Sequence, residues 1–146
     1  MEKTNNQLKC FLICLKKSNI IISKPIRIII SGMIIGNVRL SARKNLFPYI
    51  LSLGDNVNMN DVLIGACTGS HLEMAEYAIS KGADNLDNNL NLGLQTACIY
   101  SRRKIVDLLI SRGANCLNSG LIFADIYGRK EIVELLISKG INFKKN

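Results

Sequence analysis

The sequence predicts an all-α fold, a solenoid of stacked helix-turn-helix units, and three observations carry that expectation. One stretch is written three times, as Ser70-HLEMAEYAISKGAD-Asn85, Ser101-RRKIVDLLISRGAN-Cys116 and Gly128-RKEIVELLISKGIN-Phe143. Each copy is longer than its best-matching half, because Ala66, Ala97 and Ala124 each stand sixteen residues before Gly82, Gly113 and Gly140. Within each copy the apolar residues fall in adjacent pairs four apart: Met74/Ala75 and Ala78/Ile79, Ile105/Val106 and Leu109/Ile110, Ile132/Val133 and Leu136/Ile137. That spacing is a helical period with a wide buried stripe. A chain built of recurring units buries its core between neighbours, and such chains are usually binding surfaces.

Residues 1–40 are read as an N-terminal cap or a degenerate repeat. Leu8 to Lys17 is compatible with a helix, and Ile20 to Ile30 is an extended apolar run broken at Pro25. A cap is needed because an uncovered solenoid end exposes its hydrophobic face. The segment also carries the charge: residues 1–44 hold nine Lys or Arg against one Glu, whereas residues 45–146 hold ten basic and ten acidic residues. Contact with an anionic membrane surface or nucleic acid therefore stands as an alternative for residues 1–44 alone. The repeats themselves supply no electrostatic footprint for nucleic acid, although the whole-chain pI is near 9.4.

Residues 31–57 form a fainter copy. Leu46, Phe47, Ile50, Leu51 and Ser52 lead to Gly54, with Val38 at the expected alanine position, and successive glycines are then 28, 31 and 27 residues apart.

Three clear units follow, at 58–86, 89–117 and 118–146. Each is expected to read short helix, tight turn, longer helix, projecting loop. In the first helix, Leu63-x-x-Ala66, Leu94-x-x-Ala97 and Leu121-x-x-Ala124 put a large and a small residue on one face. Asp61 and Ser119 are expected as N-caps; Leu92 at that position cannot cap, leaving Asn91 as a substitute. In the second helix, acids at Glu73, Glu76, Asp107, Glu131 and Glu134 and bases at Lys81, Arg112 and Lys139 complement the helix dipole, Lys104 being the exception. The closing glycine supplies the left-handed conformation that ends a helix. Asp55 to Asn60, Asp84 to Asn91 and Asn115 to Asn118 have turn-forming compositions.

Bulk properties agree with one domain. The 146 residues are 48% hydrophobic, enough for a continuous core. Five cysteines, an odd number in no framework spacing, indicate a reducing compartment, so an intracellular, cytoplasmic location is expected. The early apolar run Cys10 to Leu15 is shorter than the roughly 7 to 15 residues of a signal-peptide core. The uncharged run Ile28 to Val38 has eleven residues against the roughly 20 of a membrane span, so the Gly32-MII-Gly36 match to a helix-dimerisation motif has no spanning helix around it.

His71-LEMAEYAISKGAD and Arg129-KEIVELLISKGIN resemble the ankyrin repeat, whose pattern is x-His-x-Glu-Ile-Val-x-x-Leu-Leu-x-x-Gly-Ala-Asp. The resemblance covers about residues 31–146. It is nearest to the short, diverged repeats of large DNA viruses, which would place the protein in the host cell. The family's Thr-Pro-Leu-His opening is replaced by Asp61-Val-Leu-Ile64, Leu92-Gly-Leu-Gln95 and Ser119-Gly-Leu-Ile122. The resemblance implies a monomeric, non-enzymatic scaffold that binds a partner protein through projecting loops and the exposed side of the first helices. Carried over, the contact positions are Thr68 and Gly69, Ile99 and Tyr100, and Ile126 and Tyr127, together with the loop residues Asp87, Asn88 and Asn89. Tyr100 and Tyr127 stand in stacked register and offer rigid contact area at low entropic cost; the alternative is that their rings cover neighbouring helix ends.

Catalysis has no visible basis. His71 is the single histidine and is read as a structural hydrogen-bonding residue, so neither a zinc cluster nor a Cys-His pair is expected. Cys67 and Cys98 occupy equivalent positions and are read as small buried residues, and Cys10 and Cys14 as core packing. No phosphate-cradling loop, GxSxG elbow or HExxH helix occurs. No catalytic residue, cofactor, metal or small-molecule substrate is expected.

Overall fold

The fold is a computed structural model that describes residues 37–52, 57–83 and 88–141. Of the predicted cap at 1–40, residues 37–40 open the first helix, and residues 1–36, with Cys10, Cys14 and the run around Pro25, lie outside the described residues. So do Gly54, Asp84 to Asp87 and Phe143.

Among the described residues the chain is all-helical, with no strand. Eight helices run in four pairs: α1 (Val38–Arg43) and α2 (Phe47–Ser52), α3 (Met59–Gly69) and α4 (Leu72–Ser80), α5 (Asn89–Ile99) and α6 (Arg103–Ser111), α7 (Leu117–Ile126) and α8 (Lys130–Ser138). The partners of a pair pack on each other. The first helices α1, α3, α5 and α7 also pack in sequence, as do α4 and α6.

One local geometry makes every pair. The residue that turns the chain has positive φ, at Asn45 (57°), Ser70 (69°), Ser101 (56°) and Gly128 (67°). The next amide then donates back to the carbonyl five residues earlier: Leu46 to Ser41, His71 to Ala66, Arg102 to Ala97 and Arg129 to Ala124, at 3.0, 3.0, 2.8 and 2.7 Å. In this register Ser41, fully buried, takes the alanine position of the faint copy, and Val38 takes that of Leu63, Leu94 and Leu121. Counting back sixteen residues from Gly54 lands three residues early because α2 has six residues against nine in α4, α6 and α8.

Two further expectations are corrected. The first helices are the longer ones, with 11, 11 and 10 residues in α3, α5 and α7. They begin earlier than the predicted caps. Asn58 caps α3, its side chain accepting from the Asn60 amide at 2.9 Å, so Asp61 sits in the first turn. Asn88 and Cys116 occupy the cap positions of α5 and α7 without a side-chain cap bond, which leaves Ser119 inside α7. The second helices end as expected: Lys81, Arg112 and Lys139 are the C-caps, and Gly82, Gly113 and Gly140 follow at φ 103°, 99° and 86°, a conformation costly for a residue with a Cβ.

The core is one continuous cluster. Leu63, Leu94 and Leu121 from the first helices meet Met74, Ile105, Leu109, Ile132 and Leu136 from the second. The faint copy joins it through Ile50, which is fully buried, and through Phe47, whose ring meets Tyr77 edge-on at 5.3 Å between centroids. Exposed ion pairs link α6 to α8, Arg103 with Glu131 at 3.3 Å and Asp107 with Lys139 at 2.9 Å; pairs of this kind contribute roughly 0 to 1 kcal/mol.

Two devices hold successive pairs in register. The first is a stitch from the start of each second helix to the preceding first helix. The His71 ring nitrogen Nε2 donates to the Arg43 carbonyl at 2.9 Å, Arg102 donates through Nε and Nη2 to the Thr68 carbonyl at 3.2 and 3.0 Å, and Arg129 donates through Nε to the Ile99 carbonyl at 2.7 Å. The second is close approach at glycine. A Cβ on Gly65 would collide with the Arg39 carbonyl oxygen and lie 2.6 Å from Ala42 Cβ, whereas one on Gly93 would meet Cys67 Sγ and Leu109 Cδ1 at an ordinary 3.5 Å.

The two alanine substitutions should therefore differ in sign. Gly93→Ala gains about 1 kcal/mol of helix propensity, and its Cβ meets its neighbours at ordinary contact distance. Gly65→Ala gains the same but must force α1 off α3, and overpacking costs roughly 1 to 3 kcal/mol. Thermal unfolding followed by circular dichroism is expected to show a raised midpoint for Gly93→Ala and an unchanged or lowered one for Gly65→Ala; the reverse order would contradict the close approach of α1.

Candidate functional site

The first helices turn one side away from the core, and from α3 to α7 that side changes character. On α5 it carries Leu92, Thr96 and Tyr100, spaced four residues apart; on α7 the same positions are Ser119, Phe123 and Tyr127. Leu92 is 45% exposed, Tyr100 40% and Tyr127 52%. Thr96 is satisfied by its own helix, its hydroxyl donating to the Leu92 carbonyl at 2.8 Å. None of these six residues is acidic or basic, and four of them, Leu92, Tyr100, Phe123 and Tyr127, are aliphatic or aromatic. Tyr100 and Tyr127 are the C-cap residues of α5 and α7, which places both phenol rings at one end of adjacent helices.

On α3 the same positions are Asp61, Gly65 and Gly69, and there the side is closed. Asp61 is held by Arg39, whose Nη2 and Nε donate to Oδ1 at 2.7 and 3.1 Å. The α1 backbone covers both glycines, since a Cβ on Gly69 would collide with the Arg43 carbonyl oxygen. The neighbouring Thr68 is committed too: its hydroxyl donates to the Ile64 carbonyl at 2.9 Å, and its carbonyl takes the Arg102 guanidinium. Of the six carried-over turn positions, Thr68 and Gly69 are thus occupied within the chain. Ile99 is half-buried with its carbonyl stitched to Arg129. Ile126 is 69% exposed, and the two tyrosines are open.

The loop residues sit elsewhere. Asn88 is exposed in a left-handed turn before α5, and Asn89 opens the helix, half-buried, with a buried Nδ2 that has no hydrogen-bond partner among the described residues. Tyr100 closes the same helix, so at 1.5 Å per residue roughly 16 Å separates Asn89 from Tyr100. The structure brings Tyr100 and Tyr127 to one edge and leaves Asn88 and Asn89 at the other, with Leu92, Thr96, Ser119 and Phe123 between. Asp87 lies outside the described residues. Sequence reasoning passed over Leu92 and Phe123 because both fall off the Leu-x-x-Ala stripe; their four-residue spacing from Tyr100 and Tyr127 was the available signal.

Asn91, expected as a substitute cap, has a different role. It is 7% exposed, and its Oδ1 accepts from the Asn115 and Cys116 amides at 2.8 and 3.0 Å while Nδ2 donates to Asn115 Oδ1 at 2.9 Å. This ties the start of α5 to the start of α7 and fixes how the two exposed sides lie together.

The titratable groups are structural in their surroundings. Burial pushes the Cys67 thiol up to about 12; burial, with the nearby Cys116 adding to it, does the same for Cys98. Burial also raises Cys116, whose thiol donates to the Asn91 carbonyl at 3.3 Å. All three stay protonated at neutral pH, the unreactive form of a thiol. Among the described residues no group of three or more His, Cys, Asp or Glu is placed to hold a metal ion, and no helix is long and apolar enough to cross a membrane. Compared with known proteins, the chain matches no protein-family model and no curated relative.

Proposed function

We propose that the chain is an ankyrin-type solenoid and works as a non-enzymatic adaptor that holds a partner protein against the outward side of its first helices. The observation that carries this reading is the outward side of α5 and α7, where Leu92, Tyr100 and Tyr127 are exposed and Thr96, Ser119 and Phe123 are half-buried, with none of the six an acidic or basic residue. Exposed apolar side chains in register on adjacent rigid helices are what a protein interface uses at its centre, and tyrosine is enriched at its hot spots. The scaffold part is supported by the recurrence of one turn, one backbone bond and one stitch at each junction, together with the resemblance of the repeated sequence to the ankyrin pattern.

Two features of binding follow from the chemistry of the surface. Because it carries no charge, affinity should come from apolar contact and vary little with ionic strength. Because Tyr100 and Tyr127 do not pack in the core, a Tyr100→Ala/Tyr127→Ala protein should keep its helical spectrum. In capture from the producing or infected cell, the partner retained by the wild-type protein is expected to bind the double variant at least about tenfold more weakly, the loss of one strong hot spot or two moderate ones. Undiminished capture by a folded double variant would refute the proposal.

A further inference from the structure

The fold gathers charge that the sequence spreads. Residues 45–146 balance ten bases with ten acids, yet the two turns at 99–104 and 126–131 hold five bases, Arg102, Arg103, Lys104, Arg129 and Lys130, against the single acid Glu131. Both turns lie on one edge of the stack, because α5 packs beside α7 and the two pairs share one turn geometry. Arg103 is paired with Glu131 at 3.3 Å. Among the described residues the other four bases have no carboxylate within ion-pair distance.

Arg102 and Arg129 differ from the lysines in being fixed. Each is half-buried and anchored on a backbone carbonyl of the preceding pair, Arg102 through Nε and Nη2 on Thr68 and Arg129 through Nε on Ile99. A carbonyl is neutral, so both positive charges stay uncompensated. A guanidinium also carries more N–H donors than these bonds use, and Nη1 of each is left over. Two planar cations that have already lost their side-chain freedom to the fold, with donors remaining, are prepared for carboxylate.

We propose that this edge binds an acidic segment of a partner protein, with one carboxylate on Arg102, another on Arg129, and Lys104 and Lys130 at the rim. Neighbouring helices in a stack have axes roughly 8 to 10 Å apart, which sets the interval between the two guanidiniums. A polyproline II chain brings every third side chain to one face at an interval of roughly 9 Å, so acids three residues apart match it. Two observations favour carboxylates over a phosphate backbone. Arg103 already holds a carboxylate in this row. The exposed acids Glu131 and Asp125 also stand here, Asp125 lining a shallow depression with Arg129 and Lys130; separate charges on a peptide pass between them, whereas the closely spaced phosphates of a nucleic acid would meet them. The edge lies beyond the turn from the outward side of α5 and α7, and the inference does not rest on the adaptor reading.

Fluorescence anisotropy of the full chain with a labelled peptide of about four Glu-Pro-Pro repeats, whose glutamates recur at that interval, tests it. The peptide is expected to bind with a Kd below about 100 μM at an ionic strength of about 0.02 M, and at least about threefold more weakly at about 0.15 M. Arg102→Gln/Arg129→Gln keeps an N–H donor for each carbonyl, removes both charges, and should weaken binding at least about tenfold. If that variant loses its helical spectrum, Lys104→Gln/Lys130→Gln serves instead; both residues are exposed, and binding should weaken at least about threefold. Arg43→Gln/Lys44→Gln removes two exposed bases at the α1–α2 turn and should leave binding unchanged. Absence of binding at low salt, full binding by the folded glutamine variants at the two turns, an equal loss in the Arg43/Lys44 variant, or tighter binding of an oligothymidylate of the same charge would overturn the proposal, the last by assigning the edge to nucleic acid.

Discussion

Leu109→Ala is expected to lower the unfolding free energy by roughly 2 to 5 kcal/mol, the range measured when a fully buried leucine is cut back in a close-packed core. Leu109 has no exposed surface. It sits on α6 with its Cδ1 3.5 Å from the position that a Cβ on Gly93 would take, so it fills the space that the glycine leaves in α5. Relaxation can close little of the resulting cavity, because α5 also packs on α3 and α7 and cannot move toward α6 without opening those contacts. Leu92→Ala is the matching control. The same atoms are removed from a half-exposed site, and the effect on stability should stay within about 0.5 kcal/mol. Urea unfolding of the two variants checks the contrast. A loss below about 1 kcal/mol for Leu109→Ala would mean that the α5–α6 core is not packed as described.

Asn91→Leu should cost a comparable amount for a different reason. The side chain is nearly buried and of similar volume to leucine, so no large cavity forms. What is lost is the acceptor for two backbone amides, those of Asn115 and Cys116. A buried donor left without a partner costs about 1 to 3 kcal/mol; Asn115 is exposed and Cys116 half-buried, so water satisfies part of the deficit and a loss of roughly 1 to 3 kcal/mol is expected. Asn60 provides the internal comparison. It stands at the same distance before the α3–α4 turn as Asn91 does before the α5–α6 turn, but its Oδ1 is buried with no hydrogen-bond partner among the described residues. Asn60→Leu removes an unsatisfied oxygen and should be close to neutral or stabilising. Equal destabilisation by the two leucines would contradict the assignment of Asn91 as the tie between α5 and α7.

The second helices were legible in the sequence because two independent physical signals agree there. The paired apolar positions specify the buried stripe, and a glycine marks where φ turns positive. The first helices were less legible at their starts. Asparagine-rich segments offer several caps, and local chemistry alone does not tell Asn58, which caps, from Asn91, which is used across 24 residues of sequence. The faint copy was misread by three residues because its second helix is shortened, which spacing to a glycine cannot reveal. The stitches were half visible. His71 was expected to make a structural hydrogen bond and does, but its equivalents are arginines that share with it only an N–H donor. At the candidate site, Tyr100 and Tyr127 were found as differences between copies. Thr68 was picked by the same logic and is committed inside the fold, since a difference between copies marks a changed environment without saying whether solvent or the chain itself fills it.

The proposed seat of the partner protein is the side bearing Tyr100 and Tyr127. The most direct measurement is site-specific photo-crosslinking in the producing or infected cell, with a photoreactive phenylalanine analogue placed at position 100 or 127 and, as controls, at Glu76 and Lys104 on the exposed sides of α4 and α6. One protein adduct is expected to form in common from positions 100 and 127 and to be absent from the two controls. Adducts from Glu76 or Lys104 with none from 100 and 127, in a protein that still retains its partner, would contradict it.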